Sequence, residues 1–241
     1  MKLLWLIPLI TPLAHAATLD EACTALDDGF PLVALVKIEE SVPNIGAPGS
    51  DAGANLLYAR ALIDSGQSGA AISLLETLDF RQSPAGDFWL AQALAANGDL
   101  LKALKCYASA SSETEFEFHQ EAIIGQARMQ KNLSRLEEAA AILAPALAWP
   151  ASPTKVLALL DLAEIQIEQK KTDAAHACLD ALQTTSAQQN SRRSFLLALT
   201  AVQEGNDDLA LQLFSAVVPT GADMAVSRIN HQATALGRLS R

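Results

Sequence analysis

Apolar residues fall at helical spacing along this chain, and a turn signal interrupts them every thirty-odd residues. The clearest stretch is Phe88 to Ala110, FWLAQALAANGDLLKALKCYASA. Its pattern predicts two short helices on either side of Asn97-Gly98-Asp99. Gly98 is available there for a positive φ, and Asp99 for an N-cap. Ala91 lies before the glycine, Ala103 and Ala110 lie after it, and Tyr107 follows four residues beyond Ala103. Small residues on facing surfaces let two helices approach closely, and the large residue fills the space beside them. Such a hairpin cannot bury its apolar face alone. Strictly alternating β-branched runs are absent, so the pattern predicts an all-α chain.

The twelve-residue step from Ala91 to Ala103 recurs. It links Ala22 to Ala34, Ala59 to Ala71, Ala127 to Ala139, Ala163 to Ala175, and Ala198 to Ala210. Four residues after each second alanine stands a bulky side chain: Ile38, Leu75, Tyr107, Leu143, Leu179 and Phe214. The turns between hold Gly29, Gly66, Gly98 and Gly205, with Ser134 and Lys170 as exceptions. The period of about 32 to 37 residues is that of helix-pair solenoids. An alternative register for the repeat around Ala127 sets it on Gly125, with two extra residues in its turn. Overpacking at the alanines tests the register. Ala103→Trp or Ala210→Trp is expected to cost about 1–3 kcal/mol in urea unfolding, and if both variants unfold like the parent the register is wrong.

These motifs resemble the tetratricopeptide repeat (TPR) over nearly all of the chain. The best matches are Leu90-Ala91…Gly98-Asp99…Ala103…Tyr107…Ala110 and Leu197-Ala198…Gly205-Asn206…Ala210…Phe214. Pro43, Pro84, Pro150 and Pro219 fit the repeat-terminal proline, whereas the family's early tryptophan is missing from every repeat. The resemblance implies a right-handed superhelical solenoid of about six helix-turn-helix repeats plus a terminal helix. It also implies a concave groove lined by the first helices, where a protein or peptide docks. Carried over residue by residue, the groove positions are Leu56 and Arg60, Phe88 and Gln92, Ile124 and Arg128, Leu160 and Glu164, Phe195 and Leu199. For Phe88 and Phe195 the alternative reading is packing between repeats. The lysine-and-asparagine clamp by which some family members hold a C-terminal carboxylate is not matched.

Residues 1–16, MKLLWLIPLITPLAHA, read as a secretory signal peptide. Lys2 supplies the positive start, Leu3 to Leu13 is too short an apolar run to span a bilayer, and Ala14-His15-Ala16 is a small-x-small cleavage pattern. The expected mature chain is 17–241, exported, and periplasmic if the host is Gram-negative or otherwise secreted. No direct membrane insertion is expected after cleavage. The chain carries 17 basic and 27 acidic residues, net −10. Losing Lys2 leaves −11, a surface that repels a phosphate backbone and makes nucleic acid an unsuitable partner.

Cys23, Cys106 and Cys178 fall in three different, non-adjacent repeats. Repeats stack about 10 Å apart and a disulfide needs Cα atoms within about 7 Å, so no intramolecular bridge is expected. The glycine- and proline-rich stretch 42–53 reads either as a flexible joint or as a plain inter-repeat insertion. Ser112-Glu113-Thr114-Glu115 is expected to open a helix with acid at its start, with Phe116 and Phe118 flanking it. Pro145 should kink or end a second helix. Residues 222–239 predict one more helix, polar at Arg228, Asn230, His231 and Gln232, which suits a terminal cap. Leu236-Gly237-Arg238 alternatively reads as the turn of a further repeat in a longer protein.

No phosphate loop, GxGxxG, HExxH, GxSxG or CxxC occurs. The histidines after residue 16, His119, His176 and His231, lie in separate repeats, and adjacent acidic pairs such as Glu137-Glu138 do not face each other. The expectation is a non-enzymatic exported scaffold without cofactor or metal, binding another protein or peptide segment. The alternative is the N-terminal segment of a larger envelope-assembly or secretion protein whose activity lies elsewhere.

Overall fold

The computed structural model describes residues 11–47, 49–77, 83–183, 186–219 and 221–239, with side chains from residue 19 onward. Among the described residues the chain forms thirteen α-helices, one 3-10 helix and no strand. Six hairpins follow one another: α1 (Thr11–Asp27) with α2 (Pro31–Ser41), α3 (Ala52–Asp64) with α4 (Ser68–Thr77), α5 (Pro84–Ala96) with α6 (Leu100–Ala110), α7 (His119–Asn132) with α8 (Leu136–Leu143), α9 (Pro153–Glu168) with α10 (Thr172–Asp180), and α11 (Ala187–Gln203) with α12 (Asp207–Ala216). A thirteenth helix, α13 (Ala222–Leu239), packs on α11 and α12. The chain divides into two compact units, residues 1–122 and 123–241. Residues 1–10 of the expected signal peptide lie outside the described residues. No described helix is long and apolar enough to cross a membrane.

All twelve alanines of the six sequence pairs are fully buried, and the six bulky partners are buried beside them. Burying each large apolar side chain contributes about 1.5–3 kcal/mol of transfer free energy. The repeat around Ala127 is set on Ala127 and Ala139, with its turn at Ser134, and Gly125 lies inside α7.

The turns share one backbone geometry. Gly29, Gly66, Gly98 and Gly205 have φ near +80°, and Ser134 and Lys170 sit at φ 60° in the equivalent place. In each turn the next N–H donates to the carbonyl five residues earlier: Phe30 to Ala25 at 2.7 Å, Gln67 to Leu62 at 2.8 Å, and Asp99 to Leu94, Arg135 to Gln130, Lys171 to Gln166 and Asn206 to Ala201 at 2.9 Å. This is the Schellman closure of a helix C-terminus, which satisfies orphan carbonyls and needs one left-handed residue. Four of the first helices open on a side-chain cap, as the second helix α12 does at Asn206. Asp51, Ser83, Ser152 and Ser186 cap α3, α5, α9 and α11 by accepting from the N–H three residues on, at 2.7 to 3.1 Å. Asp99 occupies the N-cap position of α6 but makes no cap bond, and its carboxylate accepts instead from Asn97 Nδ2 at 3.2 Å.

Pro145 ends α8 as its sequence position predicts: the helix stops at Leu143 and tightens into the 3-10 turn Ala144–Ala148. Pro84 does not close a second helix but occupies the first turn of α5, where its missing N–H is not needed. Ser112 to Glu115 lies in turns, and α7 begins only at His119. The connection after α2 is tied to α3. Buried Asn55 accepts from the Gly46 N–H at 2.8 Å and donates to Ser50 Oγ at 2.7 Å, and a Cβ on Gly46 would meet Leu74 Cδ1 at 3.0 Å. Cys178 is buried, which pushes its thiol up to about 11, while Cys23 and Cys106 are half-buried.

A non-glycine residue at positive φ is strained, and glycine relieves that strain at some cost in unfolded-state entropy. Ser134→Gly and Lys170→Gly are each expected to stabilise the fold by about 0.5–1 kcal/mol, and Gly98→Ala to destabilise it by about 1 kcal/mol, in urea unfolding. A Ser134→Gly variant less stable than its parent would contradict the shared turn geometry.

Candidate functional site

In unit 1, Arg60 on α3 reaches Asp27 at 2.8 Å and Asp64 at 3.6 Å. Leu56 and Gln92 are half-buried. Phe88 is buried at the centre of an aromatic cluster. Phe118 stacks on it at 5.1 Å, and Trp89, Phe116 and Tyr107 meet it edge-on at 5.1, 5.9 and 6.2 Å. Both phenylalanines of the acidic segment after α6 are thus used in covering Phe88, which explains why that segment turns instead of opening α7.

In unit 2, Ile124, Leu160 and Phe195 are buried in the hydrophobic core, Phe195 edge-on to Phe214 at 5.9 Å. Leu199 is half-buried against the same core. The positions three residues before the small alanine therefore serve packing for Phe88, Ile124, Leu160 and Phe195. A surface partner would meet the positions one residue after it: Arg60, Gln92, Arg128, Glu164 and Leu199.

Two of those, Arg128 and Glu164, belong to a ladder of six charges on three consecutive first helices. Arg128 and Lys131 come from α7, Asp161, Glu164 and Glu168 from α9, and Arg192 from α11. Asp161 is the hub. Its side chain is only 7% exposed, and it accepts from Arg128 Nε and from Arg192 Nη2, each at 2.6 Å. Arg192 also donates to Glu164 at 2.7 Å. Lys131 joins Glu164 to Glu168, the latter at 2.9 Å. A cavity of about 310 Å³ opens among Arg128, Lys131, Asp161, Glu164 and Arg192, floored by Met129 and Ile165.

Helix spacing explains the construction. Residues 128 and 131, or 161, 164 and 168, are three or four apart and share one helix face, and stacking of the first helices brings the three faces side by side. Burial works to raise the Glu164 pKa, but hydrogen bonds and attraction from Lys131 and Arg192 outweigh it and hold the carboxyl below its ordinary 4.5. Burial likewise opposes the Lys131 ammonium, and Glu164 with Glu168 raises it above 10.5 regardless. Arg192 is raised in the same way by Asp161 and Glu164. Three cations meet three carboxylates, so the ladder is neutral overall. Arg128 alone of its arginines is about half exposed, at 48%. Pairing through Nε leaves a five-donor guanidinium with capacity for another acceptor.

Lys131, Asp161, Glu168 and Arg192 were not visible from the alanine offsets. The signal that finds them is charge of alternating sign on successive first helices in a chain with only 18% charged residues. Among the described residues no three histidine, cysteine or carboxylate side chains come together as metal ligands. His176 pairs with Glu204 at 3.0 Å, and His231 stacks on Phe214 at 6.3 Å.

No family model matches the chain, and no curated protein matches it. Among solved structures it is similar to a Podosopora anserina protein of nearly identical TPR-like repeats, of kinesin light chain type. The TM-score is 0.55 at 17% identity, covering 81% of this chain and 99% of that one. A point variant of the same protein gives 0.54 at 17% identity, over 82% and 99%. The fold is therefore a TPR-like helical-repeat solenoid.

The ladder makes stability depend on pH in a defined way. Glu164, with a lowered folded pKa, contributes stability fully present above about 4.5 and lost as pH falls through its lower folded value. Lys131, with a raised folded pKa, contributes stability present below about 10.5 and lost as pH rises through its higher folded value. Glu164→Gln should flatten the acid limb of a stability-against-pH curve, and an unchanged limb would contradict the ladder. Asp161→Asn leaves two arginines facing a neutral amide, and in urea unfolding at neutral pH it should cost about 2–3 kcal/mol. That is below the range for fully buried pairs because Arg128 reaches solvent.

Proposed function

We propose that this chain is a non-enzymatic scaffold that holds a protein or peptide segment on its first-helix face, and that it works outside the cytoplasm. The observation that carries the reading is the charge ladder of α7, α9 and α11. It lies on a continuous face of stacked helices, beside a 310 Å³ cavity, with a half-exposed guanidinium at its edge. TPR-like repeats generally mediate protein–protein interaction, and the chain adopts that fold. The buried hub at Asp161 fixes the positions of Arg128 and Arg192, so an incoming segment meets a pre-arranged surface and the side chains lose little freedom on binding. A carboxylate or backbone carbonyl suits Arg128, and the apolar side chains of the segment suit the half-buried Leu199.

Export rests on residues 1–16, whose positive start, short apolar run and Ala14-His15-Ala16 ending have the form of a removable leader. The protein recovered from outside the cytoplasm should begin at Ala17 by intact mass, and full-length chain retained inside the cell would contradict export.

Binding is tested by capture from the host's envelope extract, with residues 17–241 as bait beside Arg128→Gln. Glu138→Gln, an exposed change on the second helix α8, is the control. A partner held by parent and control, and reduced at least about tenfold by Arg128→Gln with an unchanged circular dichroism spectrum, is the expected result. Equal capture by all three moves the surface elsewhere, and capture of nothing contradicts the scaffold reading.

A further inference from the structure

Two of the polar residues expected on the outer face of α13, Arg228 and His231, turn inward, while Asn230 stays exposed and Gln232 is half-buried. Arg228 Nη1 donates to the Val217 carbonyl at 2.9 Å, Arg238 Nη1 to the Val202 carbonyl at 3.2 Å, and His231 stacks on Phe214. Ala235 is fully buried on this side. The helix runs unbroken through Gly237 to Leu239, so no turn forms at Leu236-Gly237-Arg238. The outward face carries Ala222, Val226, Ile229, Ala233 and Leu236. All five are exposed, Val226 and Ile229 at 58% and Leu236 at 57%.

These five positions follow one another at steps of four, three, four and three. That is the heptad spacing of a helix seam whose occupant is another helix with the same period. The residues beside the seam are Asp223, Ala225, Asn230, Gln232, Gly237 and Leu239, with one charge among them. In a chain of net charge −10, such a face lets two copies meet without like charges opposed. It also offers a charged partner nothing with which to set a register. We propose that α13 is a self-association surface, on which the seams of two copies pair antiparallel across a two-fold axis near position 231.

That axis sets Val226 against Leu236 of the partner subunit, and Ile229 against Ala233 of the partner subunit. Large therefore meets small, as close helix packing requires, and the two helix dipoles oppose. The exposed stripe of α2, with Leu32, Val33 and Val36, does not suit the same role. Glu40 stands within that stripe and Glu39 beside it, so self-pairing there would bring carboxylates together. An 18-residue helix is about 27 Å long. One face of it falls short of the roughly 800 Å² per partner of a stable complex, so the dimer is weak and concentration-dependent.

Sedimentation equilibrium of the chain as recovered from its host, from about 5 to about 500 µM, tests this. A monomer–dimer equilibrium in that range is expected. Ile229→Asp should raise the dissociation constant at least about tenfold, with circular dichroism unchanged, and with melting temperature unchanged in dilute solution where both chains are monomers, because the side chain is exposed. The double variant Ile229→Asp/Ala233→Lys places each new aspartate opposite a new lysine and should regain dimer. The proposal is overturned by a monomer throughout, by dimerisation of Ile229→Asp equal to the parent, by no recovery in the double variant, or by association lost through Val36→Asp in its place.

Discussion

Where the two helices of each hairpin meet, both present an alanine with no exposed surface, and a bulky residue one turn further on fills the wedge beside them. Everything else depends on that close approach. A larger side chain at the alanine would push the helices apart, leave the bulky neighbour without partner atoms, and open the left-handed turn that reverses the chain. The turn in turn requires one residue at positive φ, so that the Schellman bond can close the first helix and release the chain directly into the second. A hairpin of this kind has an apolar flank that only the next hairpin covers, which makes the fold a stack.

Stacking has an electrostatic consequence. Within each unit successive first helices lie side by side, so residues about a repeat apart in sequence become neighbours. In α7, α9 and α11 the neighbours are three cations and three carboxylates, with Asp161 nearly out of solvent between two guanidinium groups. Such a buried carboxylate stabilises little by comparison with an apolar core. What it supplies is position: Arg128 and Arg192 are held in place on the first-helix face that we propose as the docking surface.

Local features of the sequence were legible in proportion to how local their physics is. The twelve alanines, the six bulky partners, the end of α8 at Pro145 and the bounds of α13 all depend on contacts within one hairpin, or on the backbone of one residue. Even Ser134 and Lys170, which lack the expected glycine, adopt its conformation because the surrounding turn imposes it. Features that depend on neighbours distant in sequence are less legible. The sequence leaves Phe88 open between the groove surface and packing between repeats, and the structure packs it under Phe116 and Phe118, whose segment, against expectation, does not start a helix. The pattern of α13 suggests an outward polar cap at Arg228 and His231, yet the Val217 carbonyl receives Arg228 and the Phe214 ring receives His231. The ladder needed the relative setting of three helices, which alanine offsets on single helices do not contain.

The central claim is that the first-helix face of the stack is where a partner binds. Site-specific photo-cross-linking in the host tests it most directly, with a photoreactive residue at position 128 on α7 in one strain and at position 138 on the second helix α8 in another. A discrete cross-linked adduct from position 128, with none from position 138, is the predicted result. An adduct from position 138 alone, or none from either, would contradict it.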